Sequence, residues 1–164
     1  MRLLLIISAF FLSSVCSAQQ SLRCGLTTSI ALTEQSRQFT PAKSEVDFLA
    51  TINRKLGVST FMNKAFMEGN KKWFVSLYTS GDVDNLVKLM NGNNVKYSSK
   101  LSSAANGAKY FLYTFDFNNV TVQRLIFNEK QLTLCVVVDV ISAEATANPQ
   151  AFFRQAVGRV SFVK

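Results

Sequence analysis

Asp139 is a lone carboxylate inside the stretch QLTLCVVVDVIS, residues 131–142. Leu132, Leu134, Val136, Val138 and Val140 fall on one side of a two-residue alternation. Thr133, Cys135, Val137, Asp139 and Ile141 fall on the other. Both sides are largely apolar and rich in β-branched residues, the pattern of a strand covered on both faces. A carboxylate at such a position is costly unless it is paired or protonated. Facing a cavity, Asp139 is a candidate general acid or base. Otherwise it points to solvent near the strand end, or pairs with a structural arginine such as Arg124 or Arg154. Asp116, among Tyr113, Phe115 and Phe117, is a second candidate, with Tyr113 as a donor beside it at a cavity mouth. Its other reading is a loop or cap residue next to aromatic core.

The remaining inventory excludes more chemistry than it offers. There is no histidine, which removes Ser/His/Asp and Cys/His nucleophilic arrangements. Without histidine or a CxxC pair, the usual zinc and thioredoxin-like sites are absent too. No GxGxxG or Walker loop occurs. A glycosidase needs two carboxylates facing one cleft. The chain has ten acidic residues in all, mostly on predicted surfaces. No metal or other cofactor is expected. The aromatic residues, 14 Phe, 4 Tyr and 1 Trp, fall mostly on predicted inward faces. Phe66, Trp73, Tyr78, Phe111 and Phe115 are candidates to line an apolar cavity for a small ligand, and would equally fill a packed core.

The first residues point to an export route. Arg2, the apolar run Leu3–Leu12 and the small residues Cys16-Ser17-Ala18 have the three-part pattern of a secretory signal peptide over residues 1–18. The protein is therefore expected to be secreted and extracellular, with Gln19 as its new first residue. No later segment is apolar enough to predict a membrane span. Cleavage takes the net charge from +8 to +7 by removing Arg2. The basic residues are scattered, with Arg54-Lys55 and Lys71-Lys72 as the only adjacent pairs. This predicts a basic surface with no specific nucleic-acid site, and at most non-specific attraction to acidic polymers. Cys24 and Cys135 remain after cleavage. In an oxidising compartment they either pair, tying the N-terminal segment to the central strand, or stay as two thiols. Asn119-Val120-Thr121 is a glycosylation sequon at the entry to a predicted strand.

The elements that must position these residues read as follows. Residues 19–43 have no sustained period and are expected to form an irregular arm. Ser44 opens a capping-box spacing, and a helix follows with Val46, Leu49, Ala50 and Leu56 on one face, ended by Gly57. The spacing of Phe61, Met62, Ala65 and Phe66 predicts a second helix ended by Gly69-Asn70. That of Trp73, Phe74, Leu77 and Tyr78 predicts a short third one. Asp82 is placed to cap a helix over 83–90. A short strand is expected at 95–99 and a helix entering near Ser102 and carrying Phe111, Leu112 and Phe115 inwards. Strands follow at 120–127, at 131–142 after a turn at Asn128-Glu129-Lys130, and at 151–163. The central strand would then lie between the segments 120–127 and 151–163. Phe152 and Phe153 would point to opposite sheet faces, and one exposed on the sheet would suggest a dimer interface.

Helices first and an antiparallel meander last make an α+β layout. This order, with Ala65-Phe66-Met67-Glu68-Gly69-Asn70 leading to Leu77-Tyr78, resembles the nuclear transport factor 2-like (NTF2-like, SnoaL-like) superfamily over roughly Val46–Val163. The resemblance implies one domain over 44–164, a cone of N-terminal helices packed on a curved, mainly antiparallel sheet. It is nearest in kind to small secreted members without an assigned activity. Enzymes of that superfamily use a pocket Asp with His or Tyr, and only the Asp/Tyr form has its residues here. It also implies a possible use of the sheet face for homodimers. The expected function is a non-enzymatic module binding a small hydrophobic ligand or a protein partner. The alternatives are an isomerase- or dehydratase-type acid–base enzyme using Asp139 or Asp116 with a tyrosine, and a cationic binder of acidic polymers.

Overall fold

The stretch around Asp139 is the middle strand of a seven-stranded antiparallel sheet. A computed structural model of the chain describes residues 20–128, 134–142 and 148–162. In order, these form β1 (Ser21–Arg23), β2 (Thr28–Ala31), β3 (Ser36–Gln38), α1 (Lys43–Leu56), β4 (Phe61–Glu68), β5 (Lys71–Tyr78) and α2 (Val83–Gly92). They continue with β6 (Tyr97–Ala105), β7 (Ala108–Phe117), β8 (Val120–Asn128), β9 (Cys135–Ser142), α3 (Pro149–Gly158) and β10 (Val160–Phe162). The large sheet has the order β3-β4-β5-β9-β8-β7-β6, and β1, β2 and β10 make a small second sheet. The class is α+β with mainly antiparallel pairing. The leader, residues 129 and 130 of the expected turn, residues 131–133 of the expected central strand, and residues 143–147 lie outside the described residues.

Strand β9 is buried on both sides because the chain covers both faces of the sheet. On one face α1 and α2 bring Leu49, Ile52, Leu56, Leu86 and Met90 against Phe74, Phe115, Ile126 and Val137. On the other, α3 and the small sheet bring Ile30, Phe152, Phe153 and Val160 against Trp73, Leu112, Phe127 and Val138. Alternate residues of each strand feed alternate cores. Consecutive apolar positions such as Val136, Val137 and Val138 are therefore required, not tolerated.

Two expected helices are borne out. α1 ends at Gly57 in a left-handed conformation (φ 67°), and Asp82 accepts the Asn85 N–H at the start of α2. The cap of α1 differs: Ala42 is the N-cap residue, and the Glu45 carboxylate accepts the Ala42 N–H at 2.8 Å.

Four expectations are corrected. Residues 61–68 and 71–78 are strands of a hairpin rather than two helices, turning at Gly69-Asn70 with Glu68 opposite Lys71. Adjacent apolar pairs such as Ala65-Phe66 and Trp73-Phe74 suit a helix face, but they also suit a strand buried on both sides. Gly69 at φ 59° serves a hairpin turn as well as a helix end. The helix expected from Ser102 is instead β6 and β7, joined by Asn106-Gly107 with φ 52° and 76°. Asn-Gly is the pair that a two-residue hairpin turn with two positive φ angles demands. Residues 149–158 are a helix, not part of a final strand. Asn148 Oδ1 accepts the Ala151 N–H and Pro149 opens the first turn, a regular helix start. The second neighbour of β9 is accordingly β5 and not the C-terminal segment. Finally, the stretch expected to be an irregular arm carries three strands and buries Leu22, Cys24 and Ile30.

Candidate functional site

Asp139 and Arg124 stand opposite each other on β9 and β8, on the face covered by α1 and α2. Both are buried, at 1 % and 0 % exposure. Arg124 Nε donates to Asp139 Oδ1 at 2.7 Å and Nη2 donates to Oδ2 at 2.9 Å. Nη2 also donates to Asn53 Oδ1 of α1 at 2.7 Å. The two parallel bonds match the planar fork of a guanidinium to a carboxylate, and Asn53 ties the pair to the helix above. Of the two arginines named as partners for Asp139, Arg124 takes the role and Arg154 is exposed on α3. Both Asp139 oxygens are engaged, and Asp139 lines none of the described grooves.

Tyr113 lies on the other side of Arg124, opposite it on β7. Burial, with a smaller effect of the Tyr97 hydroxyl, pushes its phenol up to about 12. A phenol that holds its proton so firmly is a poor base near neutrality. Asp116 does not join it: three residues along the same strand, it faces the opposite side of the sheet, is exposed, and accepts a bond from Thr121 Oγ1 at 2.8 Å. The expected Asp116–Tyr113 pair is not formed.

The aromatic candidates do not line one cavity. Phe66 stacks on Trp73 at 5.2 Å, and Trp73 meets Phe152 at 5.7 Å, all in the core under α3. Tyr78 and Phe115 lie in the core under α1 and α2, and Phe111 packs half-buried at its rim. Phe152 and Phe153 are both buried by α3, so neither offers the dimer face expected of them. The cysteines do not bridge, because they belong to the two different cores. Cys24 Sγ donates to Leu22 O at 3.2 Å and Cys135 Sγ to Gly81 O at 3.6 Å. Burial, reinforced by the charges of Asp82 and Asp84, pushes the Cys135 thiol up to about 12. Asn119 is exposed at the β7–β8 turn with φ 62°.

Open grooves occur elsewhere, along α1. One of about 400 Å³ runs between the first half of α1 and the sheet, walled by Phe48, Phe74, Val120 and Ile141. The Glu45–Lys72 ion pair stands at its side, at 2.5 Å. The Lys72 ammonium, by hydrogen bond and charge, with the Ala42 N–H, outweighs burial and holds the Glu45 carboxyl below its usual value. The sequence offered Ile141 only as a position in a strand covered on both faces. The groove is built from α1, β5, β8 and β9 together, a juxtaposition that no local pattern encodes. Another groove, of about 650 Å³, lies at the far end of α1 against α2. No family model and no curated protein matches the chain. The class that fold and site define is thus an α+β domain with a locked internal ion pair and open grooves beside its first helix.

Proposed function

We propose that this protein is a secreted domain of the NTF2-like kind that binds a small apolar ligand and performs no chemistry of its own. The carrying observation is the groove between α1 and the sheet. Its walls are Phe48, Phe74, Val120 and Ile141, and its volume of about 400 Å³ falls in the usual range for small-molecule sites. The Glu45–Lys72 pair gives it one polar edge that can orient a ligand. Support for the superfamily reading is the mainly antiparallel sheet and the packing of α1 and α2 on one of its faces. Secretion rests on the leader pattern of residues 1–18. The acid–base alternative draws no support from these positions, since Asp139 is spent on Arg124 and Asp116 and Tyr113 face apart.

Titration with a neutral fluorescent naphthylamine tests the reading. Saturable binding is expected, lost by about tenfold or more in Val120→Lys, which places a charge in the apolar wall. Equal binding by the wild type and Val120→Lys would sink the assignment.

A further inference from the structure

The groove of about 650 Å³ lies between the last turn of α1 and one side of α2. Arg54, Lys55 and Lys88 line it, together with Leu56, Tyr78 and Leu89, and no carboxylate does. Four cations elsewhere on the described surface are ion-paired, Lys43 with Asp47, Lys72 with Glu45, Lys109 with Asp84 and Arg159 with Glu68. Others, such as Lys64, Lys96 and Arg154, are scattered singly and line none of the described grooves with a second cation. The three groove cations are in none of these ion pairs. Lys55 Nζ sits over the Phe117 ring at 5.4 Å, which leaves Arg54 and Lys88 as the two cations aligned along the groove. Asp82, whose charge is felt by Tyr78, is occupied with the Asn85 N–H at the start of α2.

The lining is not only basic. Leu89 is a large apolar side chain left 39 % exposed, set beside Leu56 and Tyr78. Arg54 and Lys55 also complement the carbonyl end of α1. That accounts for two cations, but not for Lys88 on a different helix, nor for Leu89 held open between them. A concave apolar surface rimmed by unmatched positive charge is complementary to an anion with an apolar body.

We infer that the α1–α2 groove is a second binding site, for an amphipathic anion whose carboxylate, sulfate or phosphate head meets Arg54 and Lys88 and whose apolar part lies on Leu89. The inference is independent of the apolar groove, which lies at the opposite end of α1.

The test is a titration of the isotopically labelled protein with decanoate, below its micelle concentration and at low salt, read by backbone amide shifts. Saturable shifts are expected at residues 54–57 and 85–93. Decanol, with the same tail and no charge, should bind at least about tenfold more weakly. Arg54→Gln with Lys88→Gln, both exposed and so harmless to folding, should weaken decanoate by a factor on the order of tenfold or more. Equal affinity for decanol and decanoate, or an unaltered double variant, would overturn the site. Shifts confined to Val120 and Ile141 would do the same while crediting the apolar groove. Binding to phosphatidylglycerol vesicles with no response to monomeric decanoate would also overturn it, in favour of a membrane surface.

Discussion

Arg124 and Asp139 form a two-bond ion pair across neighbouring strands, at 2.7 and 2.9 Å, with neither side chain reaching solvent. Its energetics differ from those of the surface pairs. Removing one partner strands a charge in the interior, whereas removing both does not. Arg124→Met is therefore expected to lower stability by about 3–5 kcal/mol. The double variant Arg124→Met with Asp139→Leu should be less damaged than that single. Urea unfolding of the two singles and the double checks this. A double variant that loses the sum of the single losses would show that the two groups act separately.

Acid should release a different contact. Burial alone would raise the Glu68 carboxyl, but hydrogen bonds from Thr33, Arg159 and Ser36, and the Arg159 charge, bring it below its usual 4.5. A carboxyl with a depressed folded-state value stabilises the fold above its unfolded value, and that contribution disappears as pH falls through the folded one. The stability lost on acidification should thus set in at and below about pH 4.5. Glu68→Gln should flatten that part of the curve. An identical pH dependence in wild type and Glu68→Gln would remove Glu68 from the account.

The thiols supply a third expectation. With Cys135 pushed up to about 12, roughly one molecule in ten thousand carries its thiolate at pH 8. The thiolate is the reactive form. A disulfide reagent should leave Cys135 unmodified in the folded protein for hours and modify it on unfolding. Separation of Cys24 and Cys135 into two cores predicts that a non-reduced digest contains no Cys24–Cys135 peptide. A disulfide-linked peptide carrying both would contradict it.

How far the fold could be read in the sequence varies by element, for physical reasons. α1 and α2 were legible because each buries one face only, so that Leu49, Ile52 and Leu56, or Val83, Leu86 and Met90, recur at helical spacing. β8 and β9 were legible because their runs are too β-branched for anything else. The β4–β5 hairpin was not, since a strand buried on both sides loses the alternation that distinguishes it from a helix. In β6 the residues Ser102, Ser103 and Ala104 are exposed on the outermost strand. With no burial there to impose a period, helix propensity misled the reading. α3 was hidden by Phe152-Phe153, an apolar pair that fits a strand, although Asn148-Pro149 ahead of it was a sufficient start signal. For the site, Asp139 and Arg124 were visible as a possible pair. Asn53, contributed by a helix 71 residues away from Arg124 in the chain, carried no mark of its role. The adjacent Arg54-Lys55 was visible as charge, but Lys88 completes the groove only through the packing of α2.

The place of β9 also bears on how the chain is made. Phe74 of β5 pairs with Asp139 of β9, 65 residues further on, and Arg124 pairs with Asp139 from the other side. During synthesis the β4–β5 hairpin and the β6–β7–β8 meander can each form from local contacts, but each keeps one long apolar edge bare. Only the late arrival of β9 joins them. Until β9 is made, the two half-sheets share no strand pairing, and the contacts that join them are among the most distant in sequence in the large sheet, a topology that slows folding. The last strand of the large sheet to leave the ribosome is the one that makes it a single sheet.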